Sequence, residues 1–382
     1  SRSSTGFEIS PALQFSFPMA QTTLSFGYVY DLKYYENKPV NNTENYDQTH
    51  DFSAALTHAF SERYQISVRD SFVIGQEPDM LRAGNTFNTF QRISGDNLRN
   101  YGTIVFSAQI TPKLGMEIGY ANTYYSYADN QQTLATDGSA YSASLSGLMD
   151  EIDHVAHVDL RYQLQPQTIG VLGYQARVTE YIGDQAIGFY QDTAGNPVRV
   201  MSDERNAFSQ YGYLGLDHNF RPDLNGVIRA GARFTDYYNN PAGQNDVGPY
   251  LMASLRYTYL PESYLQAGLN WDYSPSSVFS ANNAGDLTLN AQSASIFVSL
   301  NHRITPKLHG SIIAQFQNSV YYGGMYNNQA ENYFLLGLNL QYRFTPNFSA
   351  EVGYNYDNVN SEVAAQPGFD RNRVYVGVTG SY

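Results

Sequence analysis

Thr103-Ile104-Val105-Phe106-Ser107-Ala108-Gln109-Ile110 runs directly into Thr111-Pro112-Lys113-Leu114, and a second alternating run starts at once. Successive side chains of an extended strand point to opposite faces. Ile104, Phe106, Ala108 and Ile110 therefore share one face, and Thr103, Val105, Ser107 and Gln109 share the other. Proline fixes φ and offers no N–H, so the run must break into a tight turn at Pro112. The same turn text returns as Thr305-Pro306-Lys307-Leu308 and Thr345-Pro346-Asn347-Phe348. In all, tight turns centre near Pro18, Ser61, Pro112, Pro166, Pro222, Pro261, Pro306 and Pro346. Between them the chain opens into longer stretches near 36–46, 77–96, 129–149, 183–203, 239–246, 277–289, 322–331 and 361–369, rich in Asn, Asp, Gly, Gln and Ser. Short turns at one end and long polar loops at the other predict a transmembrane antiparallel up-and-down β-barrel, with the long loops extracellular. The loops at 77–96, 129–149 and 183–203 are long enough to fold inward.

About seventeen strands are predicted, near 5–17, 21–35, 47–60, 63–76, 97–111, 113–128, 151–164, 168–182, 204–220, 224–238, 247–260, 263–275, 290–304, 307–321, 332–344, 348–360 and 370–382. Each exceeds the roughly 9–11 residues that cross a bilayer at a tilt. Bacterial single-chain barrels have even strand counts. The expectation is an eighteen-stranded barrel whose first strand lies upstream of residue 1, with sixteen as the alternative. No composition break divides the chain, so residues 1–382 are read as one barrel.

Composition agrees with this solvent partition. No stretch of about 18 apolar residues exists, which excludes a helical span. Of 382 residues 15% are aromatic, 34 of them Tyr and one Trp, and tyrosine suits a membrane–water boundary. Phe17, Phe60, Tyr64, Phe220, Tyr259, Tyr264, Phe344, Phe348 and Tyr382 form a candidate girdle at the turn end. Tyr34, Tyr124, Tyr181, Tyr273 and Tyr322 form one at the loop end. Cysteine is absent, which excludes thiolate metal sites. The net charge of -13 argues against a nucleic-acid partner.

Strand parity sets the candidate functional residues. A charge facing lipid at mid-depth costs roughly 2–4 kcal/mol, so charges within strands are placed inside. The candidate lumen lining is Asp159, Arg161, Arg177, Asp217, Arg229, Arg233 and Arg256, with Tyr211 and Tyr213. Arg69, Glu117, Asp272, Arg303, Arg343 and Glu351 are placed inside as well. Such a wall either forms an electrostatic track for anionic solutes or an anionic glycan, or is a wet wall whose charges pair across strands. Inward Tyr211 and Tyr213 either stack on sugar faces or fill space. Asp153, His157 and Asp159 can share a face, but their spacing matches no known ligand motif, so no metal or cofactor is expected. No G-x-S-x-G, H-E-x-x-H, P-loop or EF-hand pattern occurs, and Asp192-Thr193-Ala194-Gly195-Asn196 reads as a turn; no enzyme activity is expected.

Two resemblances add to these readings. Tyr375-Val376-Gly377-Val378-Thr379-Gly380-Ser381-Tyr382 resembles the terminal strand signal read by the outer-membrane assembly machinery, with Gly380 departing where an apolar residue is the rule. Leu24-Ser25-Phe26-Gly27-Tyr28-Val29-Tyr30 and Leu56-Thr57-His58-Ala59-Phe60-Ser61-Glu62-Arg63-Tyr64, with the Tyr-rich hairpins and Pro turns, resemble an outer-membrane β-barrel porin family associated with exopolysaccharide export. That resemblance implies a channel for hydrophilic solute or glycan in a Gram-negative outer membrane. Its neighbours would be lipid and lipopolysaccharide, and a periplasmic export protein would be its partner. The alternative is a scaffolding barrel that holds a periplasmic or surface protein.

Overall fold

The computed structural model describes residues 4–37, 45–76, 95–129, 133–134, 141–191, 194–276, 278–282, 286–363 and 368–381. Its main sheet takes up β1 (Gly6–Ile9), β2 (Ala12–Pro18), β3 (Thr22–Tyr35), β4 (Tyr46–Ser61), β5 (Tyr64–Gly75), β6 (Asn97–Gln109) and β7 (Leu114–Tyr127). A small hairpin, β8 (Thr133–Leu134) with β9 (Tyr141–Ser142), and the helix α1 (Leu145–Met149) follow. The main sheet resumes with β10 (Glu151–Gln165) and β11 (Thr168–Tyr181). A second hairpin, β12 (Ala186–Gln191) with β13 (Pro197–Met201), and the 3-10 turn η1 (Ser202–Arg205) interrupt it again. The remaining strands are β14 (Ala207–Arg221), β15 (Leu224–Asp236), β16 (Asn245–Leu260), β17 (Ser263–Pro275), β18 (Asn290–Arg303), β19 (Leu308–Tyr322), β20 (Ala330–Thr345), β21 (Phe348–Ser361) and β22 (Phe369–Gly380).

Every pairing in the main sheet is antiparallel and joins chain neighbours. The eighteen segments make seventeen passes, because β1 and β2 both pair with β3. The predicted first strand, 5–17, is broken at Ser10-Pro11: Pro11 has no N–H to donate, and only its carbonyl is held, by the Tyr30 N–H at 3.0 Å. The short turns close as their sequence dictates. Thr111 Oγ1 and Thr305 Oγ1 each accept from the N–H three residues on, at 3.0 Å, and in each turn Pro supplies the fixed φ. Among the described residues no helix is long and apolar enough to cross a membrane, which says nothing about strands.

The two faces separate as alternation requires. Leu160, Leu172, Leu214, Ile228, Leu255, Ile296, Ile312, Leu338 and Val376 point out, each at least 38% exposed. Such a run of uncovered apolar side chains has hydrocarbon as its natural solvent. The buried apolar clusters lie on the other side and at the loop end. The largest joins Ile187, Val200, Ala207, Tyr237, Leu287 and Leu289.

The girdles are less regular than parity alone suggests. Phe17, Phe60, Tyr64, Phe220, Phe344 and Phe348 are exposed at the turn end. Tyr264 instead faces inward, where Asn301 donates to its hydroxyl at 2.9 Å. Tyr181 and Tyr273 are buried rather than at a boundary, since each lies beneath an arginine. Tyr382 lies outside the described residues, as do most of the 77–96 loop and part of the 129–149 loop.

Candidate functional site: a charge-paired inner wall

Odd-numbered positions of β10, β11, β14 and β15 and even-numbered positions of β16 and β17 turn away from the exposed apolar face. Arg161, Arg177, Arg229, Arg233, Arg256, Asp159, Asp217, Tyr211 and Tyr213 all fall on this inner face. The arginines are not free. Arg161 Nη2 donates to Asp217 Oδ2 at 2.5 Å, and Arg229 Nη1 donates to Asp217 Oδ1 at 2.6 Å, so one carboxylate bridges two guanidinium groups from β10 and β15. Arg177 grips Asp153 through two nitrogens, with Nε at 3.1 Å. Arg233 donates to Asp246 Oδ2 at 2.6 Å and lies 3.9 Å above the Tyr273 ring. Arg256 makes no ion pair among the described residues; it stacks over Tyr264 at 4.1 Å.

Glycines make this wall possible. Gly173 stands in register between Asp159 on β10 and Tyr213 on β14. A Cβ there would lie 2.0 Å from the Tyr213 ring and 2.5 Å from Asp159 Oδ1. Its absence lets the Tyr213 hydroxyl cross the middle strand and donate to Asp159 at 2.6 Å. Gly215 likewise leaves the track along which the Arg229 side chain lies. Tyr211 and Tyr213 are 1% and 8% exposed and both pack on Tyr250, at ring centroid distances of 5.4 Å. Rings sealed this far offer no face to a passing sugar; they fill space.

Asp153, His157 and Asp159 do not converge. Asp153 is taken by Arg177 and Thr179, His157 faces Glu117 at 3.6 Å, and Asp159 is taken by Tyr213. No group of three His, Asp or Glu side chains among the described residues is placed to hold a metal ion.

The two ends of the wall differ. At the turn end an open cavity of about 590 Å³ is lined by Arg63, Lys113 and Arg161 with Gln65, Gln109 and Gln163, and by Glu62 and Glu117. At the loop end, chain segments fold over the inner face. Arg205, 1% exposed, holds them: it lies 3.7 Å above the Tyr181 ring and donates to the carbonyls of Leu148 at 2.6 Å, Gly147 at 3.3 Å and Ser276 at 3.3 Å. One side chain thus ties η1 to α1 and to the 276–289 segment. Asp150, which ends α1, accepts from the Tyr127 N–H and the Ser146 hydroxyl, both at 2.7 Å; burial nevertheless pushes its carboxyl above the usual range.

Three features lay beyond the sequence reading. Arg205 falls within the predicted strand 204–220 but lies in η1, before β14 begins at Ala207, and its acceptors are backbone carbonyls. Asp246 precedes the predicted start of its strand by one residue. Asp357, fully buried, gathers Arg371, Arg373 and the Tyr333 hydroxyl; parity could have found it, since it lies on the inner face with Glu351.

The fold is one large antiparallel sheet whose strands run up and down in chain order, and comparison with known proteins shows what the chain is similar to. Residues 291–382 match a family described as "Putative beta-barrel porin 2". No curated protein matches the chain. Among solved structures it is similar to the FrpB iron transporter from Neisseria meningitidis, at 11% identity and a TM-score of 0.46, over 94% of this chain and 62% of that one. The copper transporter OprC aligns at 13% identity and 0.48, over 99% and 66%. A mutant of the ferric enterobactin receptor PfeA from Pseudomonas aeruginosa aligns at 9% and 0.49, over 98% and 70%. The chain spans less than two thirds of FrpB and of OprC.

Proposed function

We propose that this chain sits in a Gram-negative outer membrane as a channel for hydrophilic solute, and that its cargo is a hydroxyl-rich, weakly charged polymer of the polysaccharide class. The porin-family match over residues 291–382 supports the channel. The observation that carries the cargo is the pairing of the inner wall. Arg161, Arg177, Arg229 and Arg233 each hold a carboxylate, so the wall presents hydrogen-bonding groups with little net field. An anion-selective track needs guanidinium groups left free to replace the solute's water. A paired wall, with the glutamines at the turn-end cavity, suits hydroxyls instead. No catalytic role is assigned to any residue.

Planar-bilayer recording tests this. The expected result is a measurable conductance, weak anion–cation selectivity under a salt gradient, and transient block by neutral dextran oligomers. Strong anion selectivity would overturn the cargo class, and the absence of current would favour a scaffolding barrel.

A further inference from the structure

Beneath the segments that Arg205 ties together, a cavity of about 30 Å³ lies between β11, η1, β14, β15, β17 and the start of β18. Every residue that lines it is buried except Arg177. Three of them are arginines, Arg177, Arg205 and Arg233, and none is a carboxylate. In a chain of net charge -13 this is a local reversal of sign.

Three polar atoms of this lining have no hydrogen-bond partner: Arg205 Nε, Arg233 Nε and Asn290 Oδ1. Arg205 directs both Nη groups at backbone carbonyls, and Arg233 directs Nη2 at Asp246. Both Nε–H groups can only donate. A buried donor without an acceptor is costly, most of all on a charged group. Ser209 and Thr235 share one hydrogen bond at 2.6 Å, which leaves one of their two hydroxyl protons to give. Asn290 Nδ2 lies 2.5 Å from the Tyr237 hydroxyl. With the amide turned over, Oδ1 accepts from that hydroxyl and Nδ2 becomes a further donor.

The lining thus calls for an acceptor, and its charges favour an anion over water. Asp153 and Asp246 hold Arg177 and Arg233. Arg205 bonds neutral carbonyls alone; Glu151 acts on it through space, without a hydrogen bond, and does not line the cavity. A charge-assisted hydrogen bond to an anion is about twice as strong as a neutral one. Size narrows the class: roughly 10–15 Å³ admits one water, so this cavity admits a monatomic anion and is too small for phosphate.

We propose that the cavity binds one halide ion, chloride in the natural setting, held by Arg205 and Arg233 through Nε–H, and that this ion locks the loop segments over the inner face. The site is independent of what the barrel conducts.

Bromide is the probe. Crystals grown in sodium bromide and measured at the bromine absorption edge are expected to show an anomalous peak inside the cavity, within hydrogen-bond distance of Arg205 and Arg233. In solution, protease cleavage between 186 and 201 is followed in sodium chloride and in sodium gluconate at equal ionic strength. A ligand held only by the closed segments lowers their opening by 1 + [halide]/Kd, about tenfold at ten times Kd, so the wild type should be cleaved more slowly in chloride. Asn290→Asp brings a carboxylate of the same shape to the cavity and should be cleaved at one slow rate in both salts. A cavity without bromine signal overturns the site, and equal wild-type rates in the two salts overturn the lock. An Asn290→Asp variant that keeps the full chloride dependence overturns the placement of the ion beside Arg205 and Arg233.

Discussion

At the scale of single residues, the inner wall depends on what is missing at Gly173 as much as on what is present at Asp159 and Tyr213. A methyl group at Gly173 meets an aromatic ring at 2.0 Å and a carboxylate at 2.5 Å, and both of those side chains are buried. Gly173→Ala is expected to destabilise by about 1–3 kcal/mol, the usual range for overpacking. Thermal unfolding in detergent checks this, and Tyr213→Leu should relieve part of the loss when combined with it. A second residue of this kind is Glu262, in the Pro261 turn outside the membrane span. It holds φ of 60° without being glycine. Its carboxylate meets His309 Nε2 at 3.0 Å and Arg303 Nη1 at 3.3 Å. The His309 contact first, and Arg303 second, hold its pKa below the ordinary 4.5. A carboxyl whose folded value lies below its unfolded one stabilises above the unfolded value, and loses that contribution as pH falls through the folded value. Wild type should therefore exceed Glu262→Gln in melting temperature at pH 7, and the gap should close only as pH falls through the lowered folded value, where the Glu262 carboxyl becomes neutral like glutamine. A gap that persists in acid would show that the backbone, not the charge, is responsible.

At the scale of elements, the strands and the loop cluster were legible to very different degrees. Strand alternation is forced by two solvents on two faces, so the inward positions of the nine candidate residues follow from counting by two from any exposed leucine. Tyr264 obeys the same parity as Gln266, and strand parity decides its side where nearness to a turn does not. Tyr181 and Tyr273 leave the boundary for another reason: Arg205 and Arg233 stack on them, and nothing in local text announces a partner so distant in sequence. The inward hairpin β12–β13 carries Ile187 and Val200 into a cluster with Leu287 and Leu289 from a different loop, and no single loop contains that pattern. Arg205 is the hinge of this arrangement. Arg205→Ala leaves three carbonyls without their donor and vacates the face of Tyr181. The strands should keep their stability within about 1 kcal/mol, since loops open locally without global unfolding. The cluster over the inner face should loosen, read as faster protease cleavage between 186 and 201 and as noisier, larger single-channel current. Arg205→Lys, which keeps the charge but not the planar fork, should restore little of it.

At the scale of the whole molecule, a chain of net charge -13 surrounds its inner space with a wall in which Arg161, Arg177, Arg229 and Arg233 are matched by Asp153, Asp217 and Asp246. Asp217 is the key to that balance, because one carboxylate answers two guanidinium groups. Arg229 is nearly enclosed, with 8% of its side chain exposed, whereas Arg161 is 31% exposed and reaches the turn-end cavity. Asp217→Asn keeps the shape and some hydrogen bonding but removes the charge. Arg229 then remains buried with neutral acceptors alone, Ile228 O at 2.9 Å among them, at a cost of about 1–3 kcal/mol. Arg161, being closer to water, turns toward the cavity as an uncompensated cation beside Arg63 and Lys113. The reversal potential of the variant in a salt gradient should move toward the anion side, and the chloride-to-potassium permeability ratio should rise several-fold. The shift should shrink at high ionic strength, where exposed charge is screened within a few ångströms. Arg161→Gln added to Asp217→Asn should bring the ratio back, while Arg256→Gln, which removes a cation stacked on Tyr264 rather than one released by Asp217, should not.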